Sequence, residues 1–118
     1  MKRIMLVDDS NSIRNILKNS LVGQYEVTEA ENGKVALDKL KEGAVDLFLL
    51  DVNMPEMDGI TLLGEIRKKA EYGSTPILML TTETKEELKQ KGRELGASGW
   101  IVKPCEPDKL LQAIQKLI

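Results

Sequence analysis

The residues of this chain that can do chemistry stand directly after short apolar runs. Asp8 and Asp9 follow Ile4-Met5-Leu6-Val7, and Asp51 follows Leu47-Phe48-Leu49-Leu50. Thr81 and Thr82 follow Ile77-Leu78-Met79-Leu80, and Lys103 follows Trp100-Ile101-Val102. Each has an ordinary use alone. Asp-Asp ahead of a helix caps it, Asp51 can cap a turn, Thr81 can satisfy a backbone group, and Lys103 can be a solvated strand end. Together they place three carboxylates, a hydroxyl and an ammonium at equivalent points of four apolar runs. Two carboxylates about 5 Å apart repel by roughly 3 kcal/mol at an effective dielectric near 20, so three of them need a cation. With oxygen ligands only, and no Cys or His among them, that cation is hard, and Mg²⁺ is the natural candidate. Mg²⁺ keeps several waters and accepts a phosphate oxygen, while Lys103 and the Thr81 hydroxyl suit the remaining phosphate oxygens. One carboxylate can then serve as a nucleophile and form an aspartyl phosphate. Phosphoryl transfer asks the protein mainly for position and charge.

Five apolar runs alternate with five longer segments of helical pattern. Short continuous apolar runs suit strands buried on both faces of a parallel sheet, and Trp100-Ile101-Val102 reads as one of these. The run Tyr25 to Ala30 alternates and is weaker, which places it near an edge. Ile13, Ile16, Leu17 and Leu21 fall at helical spacing, with Ser10, Asn11 or Ser12 as N-cap. Val35, Ala36, Leu37 and Leu40 form a second helix opened by Asn32-Gly33. Ile60, Leu62, Leu63 and Ile66 form a third after Asp58-Gly59. The last helix carries a wide apolar stripe, Leu110, Leu111, Ile114, Leu117 and Ile118, with Asp108 near its start. The fourth, within TKEELKQKGREL, has only Leu88 and Leu95 to bury and contains Gly92, so it is expected to be loosely held. Met54 and Met57 read as loop packing.

Alternating strands and helices predict right-handed crossovers, hence an α/β, doubly wound, five-stranded parallel sheet with five helices. In the flavodoxin-like order 2-1-3-4-5, strands one and three meet where the order reverses, and ligands bind beyond the carboxyl ends there. That order gathers Asp8, Asp9 and Asp51 in one crevice, with Thr81 and Lys103 along its rim.

The bulk composition narrows the classes. A length of 118 residues, 42% hydrophobic and 31% charged, suits one globular domain spanning 1–118. A net charge of −2 with no basic block argues against a nucleic-acid binder. One cysteine excludes an internal disulfide and fits a reducing, cytoplasmic setting. No signal peptide is expected, and no apolar run approaches the roughly 18 residues of a membrane span. The absence of histidine excludes His-based general bases, His phosphorylation and most zinc or copper sites.

Four stretches carry a specific resemblance: LVDDS (6–10), DVNMPEMDG (51–59), MLTTETKEE (79–87) and GASGWIVKP (96–104). Over its whole length the chain resembles the receiver domain, the phosphoacceptor module of bacterial two-component response regulators. The wording is most similar to stand-alone chemotaxis regulators. The resemblance implies phosphorylation at Asp51, direct Mg²⁺ binding by Asp9, Asp51 and the backbone carbonyl of Asn53, and a water-mediated role for Asp8. It implies that Thr81 bonds a phosphoryl oxygen, that Lys103 pairs with the phosphoryl group, and that the Lys103-Pro104 bond is cis. Asn53 and Glu83, each two residues past a key position, would flank the attacking water and set a short phosphate lifetime.

The same resemblance implies a switch, in which Thr81 moves toward the phosphoryl group and the aromatic residue of strand five turns inward. That residue is Trp100, where Tyr or Phe is usual, and a Trp packed permanently against the fourth helix is the competing reading. Cys105 stands where the family often has Phe. The implied donor is a histidine kinase, of chemotaxis type, with a phosphatase as a further partner. The implied output is a target protein, such as the flagellar switch, on the face formed by helix four and strand five. The protein is expected to act as a monomer and to catalyse no reaction beyond its own phosphorylation and dephosphorylation. A stand-alone phosphorelay intermediate shares every site residue. A small haloacid-dehalogenase-like phosphatase also uses Asp, Mg²⁺, Thr and Lys, but it needs Asp-x-Asp on its first strand, whereas Asp51 is followed by Val52-Asn53.

Overall fold

The computed structural model describes residues 1–118. Strands β1 (Arg3–Val7), β2 (Glu26–Ala30), β3 (Leu47–Leu50), β4 (Ile77–Thr81) and β5 (Gly99–Val102) form one sheet in the order β2-β1-β3-β4-β5. Every pairing is parallel. Helices α1 (Asn11–Leu21), α2 (Gly33–Lys39), α3 (Gly59–Arg67), α4 (Glu86–Glu94) and α5 (Pro107–Leu117) supply the crossovers. Short 3₁₀ turns at Leu40–Glu42 and Ala70–Tyr72 follow α2 and α3. No helix is long and apolar enough to cross a membrane.

The period of two along each strand divides the core. Met5, Val7, Phe48, Leu50, Ile77 and Met79 face one side and pack with Ala36 of α2 and Ile60, Leu62, Leu63 and Ile66 of α3. Ile4, Leu6, Leu47, Leu49, Leu78 and Leu80 face the other and pack with Leu17 and Leu21 of α1 and Leu110 and Ile114 of α5. The continuous apolar runs of the three central strands are thus buried on both faces. The alternating run of β2 lies on an edge, where one row of backbone groups and half of one face meet solvent.

Three helices begin where the sequence supplies a cap. The side chains of Ser10, Asn32 and Asp58 accept hydrogen bonds from the N–H groups of Ile13, Val35 and Thr61 at 3.3, 2.9 and 2.8 Å. At the far end of α3, Arg67 holds three loop carbonyls: Nη1 donates to Tyr72 and Thr75, and Nη2 to Gly96, at 2.7, 2.6 and 2.7 Å. This ties the entry to β4 to the turn before β5. Met54 and Met57 pack against the α2/α3 side of the core, as loop residues.

Three expectations of burial need correction. Strand β5 is not buried: Trp100 and Ile101 are half-buried and Val102 is 39% exposed. It is the other edge strand, paired only with β4, and α4 and α5 do not close over its far side. Ile16, at helical spacing with the α1 core residues, is 56% exposed. In α5 the stripe holds at Leu110 and Ile114, which are buried, and at Leu111 and Ile118, which pack partly buried against the core, while Leu117 is exposed. Helix α4 does have little to bury. Leu88 and Leu95 are half-buried, and Gly92 is its only buried residue.

Phe48 is fully buried and meets Tyr72 edge-to-face with ring centroids 5.3 Å apart. Phe48→Ala should therefore lower unfolding free energy by about 3–5 kcal/mol in urea titration. Ile16→Ala should stay within about 0.5 kcal/mol of wild type.

Candidate functional site

The sheet register brings the chemistry together. Val7 of β1 pairs with Leu50 of β3, so the residues that follow them, Asp8 and Asp51, are neighbours just beyond the strand ends. The ladder continues one step past the strands: the Asp8 N–H donates to the Ala30 carbonyl at 3.2 Å and the Asp51 N–H to the Val7 carbonyl at 2.9 Å. On the other flank Thr81 pairs with Val102, and the Lys103 N–H donates to the Thr81 carbonyl at 2.8 Å. Asp8, Asp51 and Lys103 share the pleat parity of Leu6, Leu49 and Ile101, which face α1 and α5. Thr81 and Trp100 have the parity of Met79, which faces α3.

Carboxylate oxygens of Asp8, Asp9 and Asp51 all lie within 4.8 Å of one another. Asp8 and Asp51 are buried, at 2% and 7% exposure, while Asp9 is exposed. The Lys103 Nζ sits 2.6 Å from Asp8 Oδ2 and 3.8 Å from Asp51 Oδ2. The other Asp8 oxygen accepts the Ser10 N–H at 2.9 Å. Both oxygens of Asp8 are therefore engaged by the protein. Burial pushes the Asp51 carboxyl above the ordinary carboxylate range, and the Asp8 charge pushes it further. Lys103 and the Asn53 backbone N–H oppose that rise, and Asp9 adds to it. A single ammonium thus leaves the three carboxylates short of positive charge. A set of hard oxygen donors with unbalanced negative charge fits Mg²⁺ and offers nothing to a soft metal.

The backbone around Asp51 is tightly packed. The Gly59 N–H donates to the Val52 carbonyl at 2.9 Å. A Cβ at Gly59 would stand 2.0 Å from the Asp51 carbonyl oxygen, so only glycine lets α3 start against this strand end. Its role was not read from the sequence, although Asp58-Gly59 marked the helix start.

The remaining predicted residues divide. Thr81 is fully buried, and its Oγ1 accepts the Glu83 N–H at 3.1 Å. Asn53 is exposed beside Asp51. The Glu83 carboxylate accepts the Lys85 N–H at 3.1 Å, so it organises the approach to α4. Trp100 donates its indole N–H to the Glu83 carbonyl at 3.0 Å. Its ring lies against α4 at Gly92, where a Cβ would stand 3.2 Å from the indole Cζ3. In this arrangement Trp100 packs on the fourth helix. Cys105 is half-buried against the α1/α5 side of the core. The Lys103-Pro104 peptide is cis.

Two further residues touch the site: Ser10, read from the sequence only as a cap, through its N–H, and Arg14, which donates from Nη1 to the Asp8 carbonyl. Arg14 carried a signal in the sequence. It is a cation close to the start of α1, where the helix dipole favours anions, and the first turn holds no acidic residue.

Comparison with known proteins finds relatives over almost the whole chain. The response regulator receiver domain family matches residues 4–115. The chain is 40% identical over 118 residues to the chemotaxis protein CheY of Bacillus subtilis, covering 98% of this chain and 97% of that protein. It is 39% identical over 117 residues to CheY-3 of Vibrio cholerae, covering 98% of this chain and 90% of that protein. The solved structure of V. cholerae CheY4 superposes with a TM-score of 0.95 at 44% identity, covering 100% of this chain and 99% of that one. With its fold, its acidic strand ends and its full-length similarity in agreement, this chain belongs to the response regulator receiver domain family.

Proposed function

We propose that this protein is a two-component signalling switch that takes a phosphoryl group from a histidine kinase onto Asp51. The observation that carries this reading is the buried Asp51 carboxylate, which shares a crevice with Asp8 and Asp9 and has Lys103 3.8 Å from it. An Asp51 oxygen attacks phosphorus, the P–N bond of the kinase phosphohistidine breaks, and its electron pair returns to the imidazole nitrogen, which is then protonated. In the reverse arm water attacks phosphorus, the Asp51–phosphorus bond breaks and inorganic phosphate leaves. Asp9, Asp51 and the Asn53 carbonyl would hold Mg²⁺, with Asp8 acting through a bound water because its own oxygens are engaged by Ser10 and Lys103. When bound, the ion would offset negative charge on the carboxylates and the transferring phosphoryl oxygens. Asn53 and Glu83 flank the route to Asp51 and would tune how long the phosphate lasts.

The hydrogen bonds suggest how the modification is read. Thr81 accepts from the Glu83 N–H, which leaves its own proton for a phosphoryl oxygen. Glu83 in turn holds Trp100 through its carbonyl. Movement of Thr81 toward the phosphoryl group, which adds about −1.5 to −2 charge, breaks the first bond and shifts the loop that carries the second. The face formed by α4 and β5 then presents a changed surface to a target. The chemotaxis names of the relatives support a chemotaxis kinase as donor and a flagellar switch as target, with a phosphatase resetting the signal.

Incubation with acetyl phosphate and Mg²⁺ should add one phosphoryl group that hydroxylamine removes, seen by mass spectrometry, and change Trp100 fluorescence. Asp51→Asn should show neither. A labelled Asp51→Asn protein would contradict the site.

The raised Asp51 carboxyl also has a consequence for stability. The folded protein keeps this proton to higher pH than the unfolded chain, which releases it near pH 3.9. The resulting penalty on folding is absent below that value, grows with pH, and is complete above the folded pKa. In metal-free buffer at pH 7, Asp51→Asn should therefore melt higher than wild type. Calorimetry should show this advantage shrinking toward zero below about pH 4. Equal melting points at both pH values would contradict it.

A further inference from the structure

Arg14 is only 11% exposed, although arginine ordinarily reaches for solvent. Its guanidinium makes contacts in three directions. Nη1 donates to the Asp8 carbonyl and Nη2 to the Asn11 side chain. Nε lies 3.4 Å from Glu29 Oε1 on β2. Glu29 is itself anchored: its carboxylate meets the Lys18 Nζ at 3.2 Å, and its carbonyl accepts from Lys39 of α2. Arg14 thus connects the β1–α1 loop to the edge strand.

The carbonyl it holds belongs to the peptide that joins Asp8 to Asp9. Each other polar group of Asp8 also has a partner. Its N–H donates to Ala30, Oδ1 accepts from Ser10, and Oδ2 accepts from Lys103. Asp8 is fixed at four points, and the direction in which the chain leaves it, toward the exposed Asp9 carboxylate, is set by the point that Arg14 controls. A cation here is not explained by the helix, whose N-terminal end disfavours positive charge. Nor is it explained as an attractor for a divalent cation, which it repels.

We propose that Arg14, braced by Glu29, is a positioning residue that aims Asp9 into the acidic crevice and so sets its affinity for a divalent cation. The proposal rests on the reading of Asp8, Asp9 and Asp51 as a Mg²⁺ site. Guanidinium geometry is essential to it, because one planar fork must reach the carbonyl, Asn11 and Glu29 at once, which a lysine ammonium cannot do. Residues that orient metal ligands in this way typically change affinity by about 10–100-fold when replaced.

Isothermal titration calorimetry with MgCl₂, on the whole protein and on Arg14→Lys, Arg14→Met and Glu29→Gln, tests this. Melting in EDTA checks that each variant is folded. Positioning predicts Mg²⁺ affinity at least about tenfold weaker in both Arg14 variants, and a smaller loss in Glu29→Gln. Charge alone predicts the opposite pattern, with tighter binding in Arg14→Met and no change in Arg14→Lys. Unchanged or tighter binding in folded Arg14 variants overturns the proposal. If Arg14→Met does not fold, Arg14→Lys and Glu29→Gln decide it. Wild type that takes up no Mg²⁺ overturns the acidic crevice as a metal site, and this inference with it. Wild type that binds while the variants bind equally well overturns the role of Arg14 alone.

Discussion

Everything distinctive in this protein depends on carboxylates held closer together, and drier, than they would choose. Asp8 and Asp51 are buried beyond adjacent strands, and Asp9 stands within reach of both. In water such groups would separate or hydrate. Here the parallel ladder fixes their backbones: β1 and β3 are paired along their length, and the bonds from Asp8 to Ala30 and from Asp51 to Val7 extend that pairing to the acids themselves. The unfavourable local electrostatics are offset by the apolar core on either side of the sheet. Lys103, close to Asp8 and within 4 Å of Asp51, balances part of the charge and leaves the rest for a ligand.

The two faces of the sheet have different parts in this arrangement. The α1/α5 face carries Asp8, Asp51 and Lys103 at its rim and is well packed by Leu17, Leu21, Leu110 and Ile114. The opposite face carries Thr81 and Trp100, and near β5 it is covered by α4, a helix with one buried residue, a glycine. The acidic rim therefore stands over the better packed side of the sheet, and Thr81 and Trp100 over the thinly packed one. Gly92 and Trp100 fit each other by size: the missing Cβ makes room for the indole ring. Glu83 lies between Thr81 and the ring, its N–H donating to Thr81 and its carbonyl accepting from the indole of Trp100.

The sequence made the central sheet and its acidic ends readable because both depend on local pattern. A run such as Leu47-Phe48-Leu49-Leu50 suits a strand buried on both faces, and the residue after it then lies just beyond the strand end. Trp100-Ile101-Val102 has the same apolar character but sits on an outer strand. Composition cannot tell these cases apart, since burial there depends on whether a helix closes over the edge. Ile16 misleads for a similar reason, because helical spacing gives its angle on α1 but not where the neighbouring layer stops. Glu83 was legible as a neighbour of Thr81, but not as the hydrogen-bonding centre between Thr81, Lys85 and Trp100, because backbone donors leave no mark in a residue pattern. Arg14 was legible as a cation out of place near the start of α1. Only the fold shows that its side chain turns back to the Asp8 carbonyl.

The fold forces Asp51 into a site where burial and the neighbouring Asp8 disfavour its charge. Carbon-13 NMR titration of the Asp51 side-chain carboxyl, with and without Mg²⁺, measures this at the atom concerned. The expected result is a pKa above the ordinary value of about 3.9 in the metal-free protein, and a marked fall when Mg²⁺ is added. An Asp51 carboxyl that titrates in the ordinary range, and is unmoved by Mg²⁺, would contradict it.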